Sequence, residues 1–245
     1  MNADSIDAYT PRERVARYDR DMAIMHPNRD VMVQAVVDAL PFDATTSCDV
    51  LDLGMGTGVL ADALLESYLA LRVTGIDGAA PMLEVARERL ADYADRTEFI
   101  TGDFCDLNAM LPPGFTPTAI ISSFALHHVP PELKANVLHS AIERIAPGGW
   151  FINADIVIAD DAEIETRWQA MRVAGIVERA QGHDDPRFTD AKSTRHFLDT
   201  MEAAEGDCPQ TLRSELETMR NAGLQHTGVF WQYTREAVYG GFKSG

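Results

Sequence analysis

The stretch DVLDLGMGTG, residues 49–58, runs from apolar residues straight into three glycines at alternate positions, Gly54, Gly56 and Gly58. DVLDLGM is short, apolar and stopped by glycine, which reads as a buried strand. VLADALLESYLA follows with apolar residues at helical spacing. Glycine at a strand-to-helix turn permits positive φ and lets a ligand come close to the backbone. The free N–H groups of the helix start attract electron-rich atoms. Taken alone, the three glycines are a weak signal and also fit a tight turn without a ligand.

The rhythm continues on the C-terminal side. RVTGIDG reads as a second strand and APMLEVARERLADYA as a helix with Pro81 near its start. TEFITGDF and TAIISSFALHHV read as the third and fourth strands, PELKANVLHSAIERIA as a helix, PGG as a turn and WFINADIVI as a fifth strand. Strand and helix alternate over residues 48–158, which predicts an α/β fold: a parallel sheet with helices on both faces and right-handed crossovers. Residues 5–40 read as helices divided at Pro27. Residues 160–222 read as three more, interrupted by the polar loop QGHDDPRFTD. HTGVFWQYTREAVYGGFK, at 226–243, reads as a hairpin with one strand antiparallel to the rest. The chain is expected to be one domain over 1–245: an N-terminal helical cap at 1–44, a ligand-binding core at 45–158, a helical lid at 159–222 and a final hairpin at 223–245.

Composition narrows the partners. The 245 residues are 46% hydrophobic with a formal charge of -17, enough apolar content for a sizeable core. A surface this acidic repels phosphate backbones, and no Lys/Arg cluster offsets it, so nucleic acid is disfavoured and a small molecule favoured. No run of 18 apolar residues predicts a membrane span and no secretory leader is expected at the N-terminus. Cys48, Cys105 and Cys208 lie far apart, odd in number and without metal-ligand spacing. Reduced thiols, a cytoplasmic location and no metal are the expectation.

Two carboxylates follow the glycines in a telling order. Asp77, at the end of the second strand and 19 residues after Gly58, has the position from which dinucleotide folds hold ribose hydroxyls; as a helix cap it needs no ligand. Asp103 ends the third strand, where it can accept from an adenine amino group with Phe104 beside the base, or simply serve a turn. The loop is G-x-G-x-G rather than the G-x-G-x-x-G of a pyrophosphate binder, and Asp52 precedes it, a poor neighbour for phosphate and a good one for a cation.

In this order the motifs resemble the class I S-adenosylmethionine-dependent methyltransferases. LDLGMGTG matches their glycine loop with Asp52 as its leading acid, GIDGAAPML their ribose-binding segment and GDF their adenine-side segment; ISSFALHHV and APGGWFINAD match the fourth strand and the turn into the fifth. The resemblance covers roughly residues 45–158 and 216–243. It implies a Rossmann-like, mostly parallel seven-stranded sheet and S-adenosylmethionine as cofactor, bound by Tyr18, Asp52, Gly54, Gly56, Gly58, Asp77, Gly78, Met82, Asp103, Phe104 and Ser123. It also implies that the flanking helices cover the cofactor and shape an acceptor pocket, with His26, Arg29, Trp168, Arg172 and Trp231 as candidate lining residues.

Methyl transfer needs alignment and exclusion of water more than a catalytic triad. An oxygen nucleophile calls for a base, and His127, His128 and Asp155 are the candidates. Adjacent histidines are expected to point apart, without a third metal ligand. The layout also resembles the carboxy-S-adenosylmethionine synthases, which modify the cofactor itself. Where that family places an arginine ahead of its AGF-type turn this chain has Thr218, and GMGTG is the methyltransferase form, so transfer to a small acceptor is the first expectation and cofactor modification the second. A non-catalytic cofactor-binding protein is a third. Homodimerisation through the N-terminal helices or the lid is compatible with the sequence.

Overall fold

A computed structural model describes residues 3–245. The core is a seven-stranded sheet built from β1 (Cys48–Leu53), β2 (Leu71–Asp77), β3 (Thr97–Thr101), β4 (Ala119–Ser123), β5 (Trp150–Ile156), β6 (His226–Tyr233) and β7 (Glu236–Phe242). Their order across the sheet is β3-β2-β1-β4-β5-β7-β6. The first five pair in parallel, and β7 runs antiparallel to both β5 and β6. This is the mostly parallel α/β sheet expected from the alternation, with the inserted hairpin strand reversed.

The central strands are buried on both faces because helices cover both. One core joins the sheet to α3 (Arg29–Ala39), α4 (Val59–Ser67) and α5 (Ala80–Arg89). The other lies under α6 (Leu107–Met110), α7 (Pro131–Arg144) and α10 (Leu212–Asn221). Leu51 and Leu53 of β1 point into the second core, Val50 into the first, and all three are fully buried. Burying each contributes about 1.5–3 kcal/mol, which holds rigid the strand that ends in the glycine loop.

Four details depart from the sequence reading. An additional short helix, α1 (Ala3–Ala8), precedes α2 (Arg12–Met25); Pro11 separates them because it lacks the N–H to continue a helix. The third strand stops at Thr101, and Phe104 lies in a single 3-10 turn whose N-cap Asp103 accepts from the Cys105 amide. The fourth stops at Ser123: Phe124 takes φ +50°, and 126–128 form another 3-10 turn. The fifth ends at Ile156. All these ends lie on the carboxyl edge of the sheet, where open α/β folds bind their ligands. Between β5 and β6 stand α8 (Ala162–Arg179), α9 (Ala191–Glu205) and α10. No helix among the described residues is long and apolar enough to cross a membrane.

Candidate active site

Two cavities adjoin at the carboxyl edge, and Tyr9, Tyr18 and Phe124 line both. The first is built on the glycine loop. Gly54 has φ +73°, and a Cβ there would sit 2.4 Å from the Ala125 Cβ, so glycine is needed for both its conformation and its space. The Gly56 amide donates to Asp77 Oδ2 at 2.8 Å and the Ala79 amide to Asp77 Oδ1 at 2.8 Å. One carboxylate thus ties the loop after β1 to the start of α5. Burial pushes the Asp77 pKa up, and these two amides offset only part of that rise.

Asp52 differs in having no partner. It is 1% exposed and neither carboxylate oxygen has a hydrogen bond. Burial, and then the nearby Asp77 charge, push its pKa to about 8. An unpaired buried acid facing a cavity is costly unless neutral or matched by a cation.

Of the sequence candidates, Tyr18, Asp52, Gly54, Gly56, Asp77, Met82, Phe104 and Ser123 line this first cavity. Gly58, Gly78 and Asp103 do not line it. Gly58 is the N-cap of α4 and packs towards Ala86, while Gly78 leaves room for Ile6 of α1. Arg29 also lines this cavity rather than the second, and pairs with Asp19 at 2.8 Å.

Asp19 has no counterpart in the sequence reading. It accepts from Thr57 Oγ1 at 2.9 Å and from Arg89 at 2.6 Å, fastening α2 to the glycine loop and α5. The adjacent Y-D dipeptide was the available signal. Burial pushes the Tyr18 hydroxyl up to about 12, so it stays protonated.

The second cavity, about 240 Å³, has an apolar wall including Met22, Met25, Phe197 and Met201 and a polar end with His127, Glu205 and Asp207. His26 and Arg172 line it. His26 bonds Glu236 at 2.9 Å and Arg172 pairs with Glu202 at 2.5 Å. Trp168 and Trp231 are not brought here. Trp168 is half-buried on α8, and Trp231, on edge strand β6, lines a separate groove against α3.

His127 and Asp155 form a buried pair. The His127 Nδ1 lies 2.5 Å from Asp155 Oδ1, and Asp155 also accepts the amides of His127 at 3.1 Å and Ile156 at 2.8 Å. Burial raises the Asp155 pKa, but His127, the Ile156 amide and the Lys134 charge outweigh it, and the carboxyl stays below its ordinary range. For His127 burial lowers and Asp155 raises, with a net rise. His128 is pulled down by burial and by His127. The two rings do not point apart: their centroids are 4.0 Å apart, and Asp207 Oδ1 is 3.7 Å from His127 Nε2 and 2.9 Å from His128 Nδ1. Asp207 and Glu205 come from the end of α9 and the loop after it, nearly 80 residues downstream, with no local motif to reveal them.

Residues 50–149 match a methyltransferase domain family. An uncharacterised methyltransferase of Bacillus licheniformis is 30% identical over 132 residues, 54% of this chain and 58% of that relative's length. A carboxy-S-adenosyl-L-methionine synthase of Chromohalobacter salexigens is 26% identical over 198 residues, 79% of this chain and 68% of that protein. Among solved structures, an O-methyltransferase family protein from Burkholderia thailandensis superposes with a TM-score of 0.67 at 20% identity, over 97% of this chain and 64% of that one. The sheet order and the glycine loop agree with that match: residues 50–149, less than half of the chain, are similar to a methyltransferase domain and lie on a Rossmann-like sheet.

Proposed function

We propose that the protein transfers a methyl group from S-adenosylmethionine to an oxygen atom of a small acceptor seated in the second cavity. The observation that carries this reading is the His127–Asp155 pair. Asp155 holds the proton of His127 on Nδ1, which leaves the Nε2 lone pair to take the acceptor's proton. The residues of the first cavity fit the cofactor. The unpaired Asp52 carboxylate suits its cationic methionine end, Asp77 its ribose hydroxyls, and Asp103 with buried Phe104 its adenine. When bound, S-adenosylmethionine supplies an electrophilic methyl carbon. Tyr9, Tyr18 and Phe124, shared by the two cavities, exclude water from the junction. Trp168 and Trp231 have no part in this reading. A reduced, cytoplasmic setting fits the free thiols of Cys48, Cys105 and Cys208.

Isothermal titration with S-adenosylmethionine tests the cofactor, and a panel of hydroxylated small molecules assayed for S-adenosylhomocysteine release tests the acceptor class. Stoichiometric binding followed by turnover on a hydroxyl compound is expected. Failure to bind the cofactor overturns the whole reading, and turnover restricted to amines overturns the oxygen assignment. The carboxy-S-adenosylmethionine synthase relatives support a second reading. Against it stands Thr218, whose hydroxyl donates to the Ser214 carbonyl within α10 and which lines neither cavity. Incubation with S-adenosylmethionine and prephenate decides it, since a cofactor product heavier by one carboxylate favours the synthase.

A further inference from the structure

His127, His128 and Asp207 turn three electron-pair donors towards one another. The first donor follows from Asp155, which accepts from His127 Nδ1–H and so leaves the lone pair of the neutral ring on Nε2, 3.7 Å from Asp207 Oδ1. The second follows from Tyr9. Its hydroxyl donates to Glu205 Oε2 at 2.7 Å, so its oxygen is free to accept from His128 Nε2 at 3.4 Å. That bond puts the His128 proton on Nε2 and the lone pair on Nδ1, 2.9 Å from Asp207 Oδ1. The two atoms are at ion-pair distance, but neither makes a hydrogen bond of good geometry. His128 is 3% exposed. With the His127 ring neutral, two lone pairs and a carboxylate oxygen converge, an arrangement that suits a positive occupant.

We propose that His127 Nε2, His128 Nδ1 and Asp207 Oδ1 form a binding site for a divalent transition-metal ion of the zinc type. The three ligand atoms lie within 4.8 Å of one another. Bonds of about 2.0 Å in a tetrahedral site place ligand atoms about 3.3 Å apart, between the 2.9 and 3.7 Å found here. Each imidazole is already held from behind, His127 by Asp155 and His128 by Tyr9, as metal-bound histidines are. Three protein ligands leave a fourth position, as in catalytic rather than structural zinc sites. His127 and Asp207 face the second cavity and His128 the first, so that position opens where an acceptor oxygen would sit. With the ion bound, the Nε2 lone pair is committed to it. A bound ion would supply Lewis-acid polarisation of the acceptor oxygen in place of the imidazole base, with the released proton going to solvent.

The site competes with the general-base role proposed for His127 Nε2 but not with cofactor binding, and its test needs no substrate. Chelator-treated full-length protein is titrated with zinc by calorimetry and with cobalt by visible absorption. One equivalent is expected to bind, with cobalt giving the intense bands of a tetrahedral site. Asp207→Asn and His128→Gln, each checked for folding by thermal melting, should weaken binding by more than about 100-fold. Asp155→Asn should weaken it by about 10–100-fold. Absence of stoichiometric binding to the unaltered protein overturns the proposal, whatever the variants do. So does an unchanged cobalt spectrum in folded Asp207→Asn and His128→Gln, which would locate the ion elsewhere. Nitrogen-15 NMR showing both imidazoles indifferent to added zinc would mean that a proton fills the gap, and has the same force.

Discussion

The Asp155 carboxylate stands 2.5 Å from the His127 ring, and both side chains are almost fully buried. Removing one charge from such a pair leaves the other stranded, at a cost of about 3–5 kcal/mol. Asp155→Asn is therefore expected to lower the melting temperature by several degrees, and the size of the drop depends on pH. The folded pKa of Asp155 is depressed, so its contribution is present above the unfolded value of about 3.9 and lost as pH falls through the folded one. The folded pKa of His127 is raised, so its contribution is complete below about 6.5 and lost as pH rises through the folded value. Melting curves of the two proteins should differ most between about pH 4 and 6.5. A difference that is flat from pH 4 to 9 contradicts the ion pair.

Asp52 carries the opposite sign. Its pKa rises from about 3.9 in the unfolded chain to about 8 in the fold. The folded state then holds a proton that the unfolded state lacks, and stability falls as pH rises from about 4 to 8. Asp52→Asn should remove that slope and melt higher than the parent protein at pH 8. Binding of the cationic cofactor should ionise Asp52. Below pH 8, titrations in buffers of different ionisation enthalpy should show proton release that the variant lacks. Affinity should also fall in the variant, by about 10–100-fold. Equal proton release by parent and variant would remove Asp52 from the cofactor site.

Gly54 and Gly114 separate conformational strain from overlap. Both have positive φ, +73° and +82°, but an added Cβ at Gly114 meets nothing within 4 Å, whereas at Gly54 it meets the Ala125 Cβ at 2.4 Å. The Ala125 atom is attached to the backbone and cannot swing aside. Gly114→Ala should cost about 1–2 kcal/mol. Gly54→Ala should cost more than that and abolish cofactor binding, as judged by denaturant unfolding and calorimetry. Equal costs would mean that the β4 turn yields.

Asp19 joins Arg29, Arg89 and Thr57, and its side chain is 36% exposed. Exposed pairs contribute about 0–1 kcal/mol each, so Asp19→Asn should hardly change global stability. It should release α2 from the glycine loop. Hydrogen exchange is expected to quicken in Arg12–Met25 while Cys48–Leu53 stays protected, and cofactor affinity should drop. Unchanged exchange in α2 would show that packing of Val15 and Met22 holds the helix without it.

The periodicity of this chain carried the sheet. Apolar runs ended by glycine or aspartate, alternating with helical spacing, are local patterns. They sufficed for β1 to β5, for the hairpin and for the mostly parallel order. The first cavity was legible for the same reason, since each loop at the carboxyl edge directly follows a strand that the sequence marks: Asp52 and Gly54 after β1, Asp77 after β2, Phe104 after β3. The second cavity depended on tertiary packing. Tyr9 comes from the turn after α1, and Glu205 and Asp207 from the end of α9 and the loop after it. Nothing in the spacing around them signals that they meet His127 and His128. The two histidines converge on Asp207 because Phe124 turns β4 through positive φ and 126–128 coil into a 3-10 turn. An extended strand would have sent adjacent side chains to opposite faces. Trp168 and Trp231 show the converse: a large aromatic on a helix or an edge strand looks the same in sequence whether it faces a cavity or another helix, and only the packing of β6 against α3 carries Trp231 away from the site.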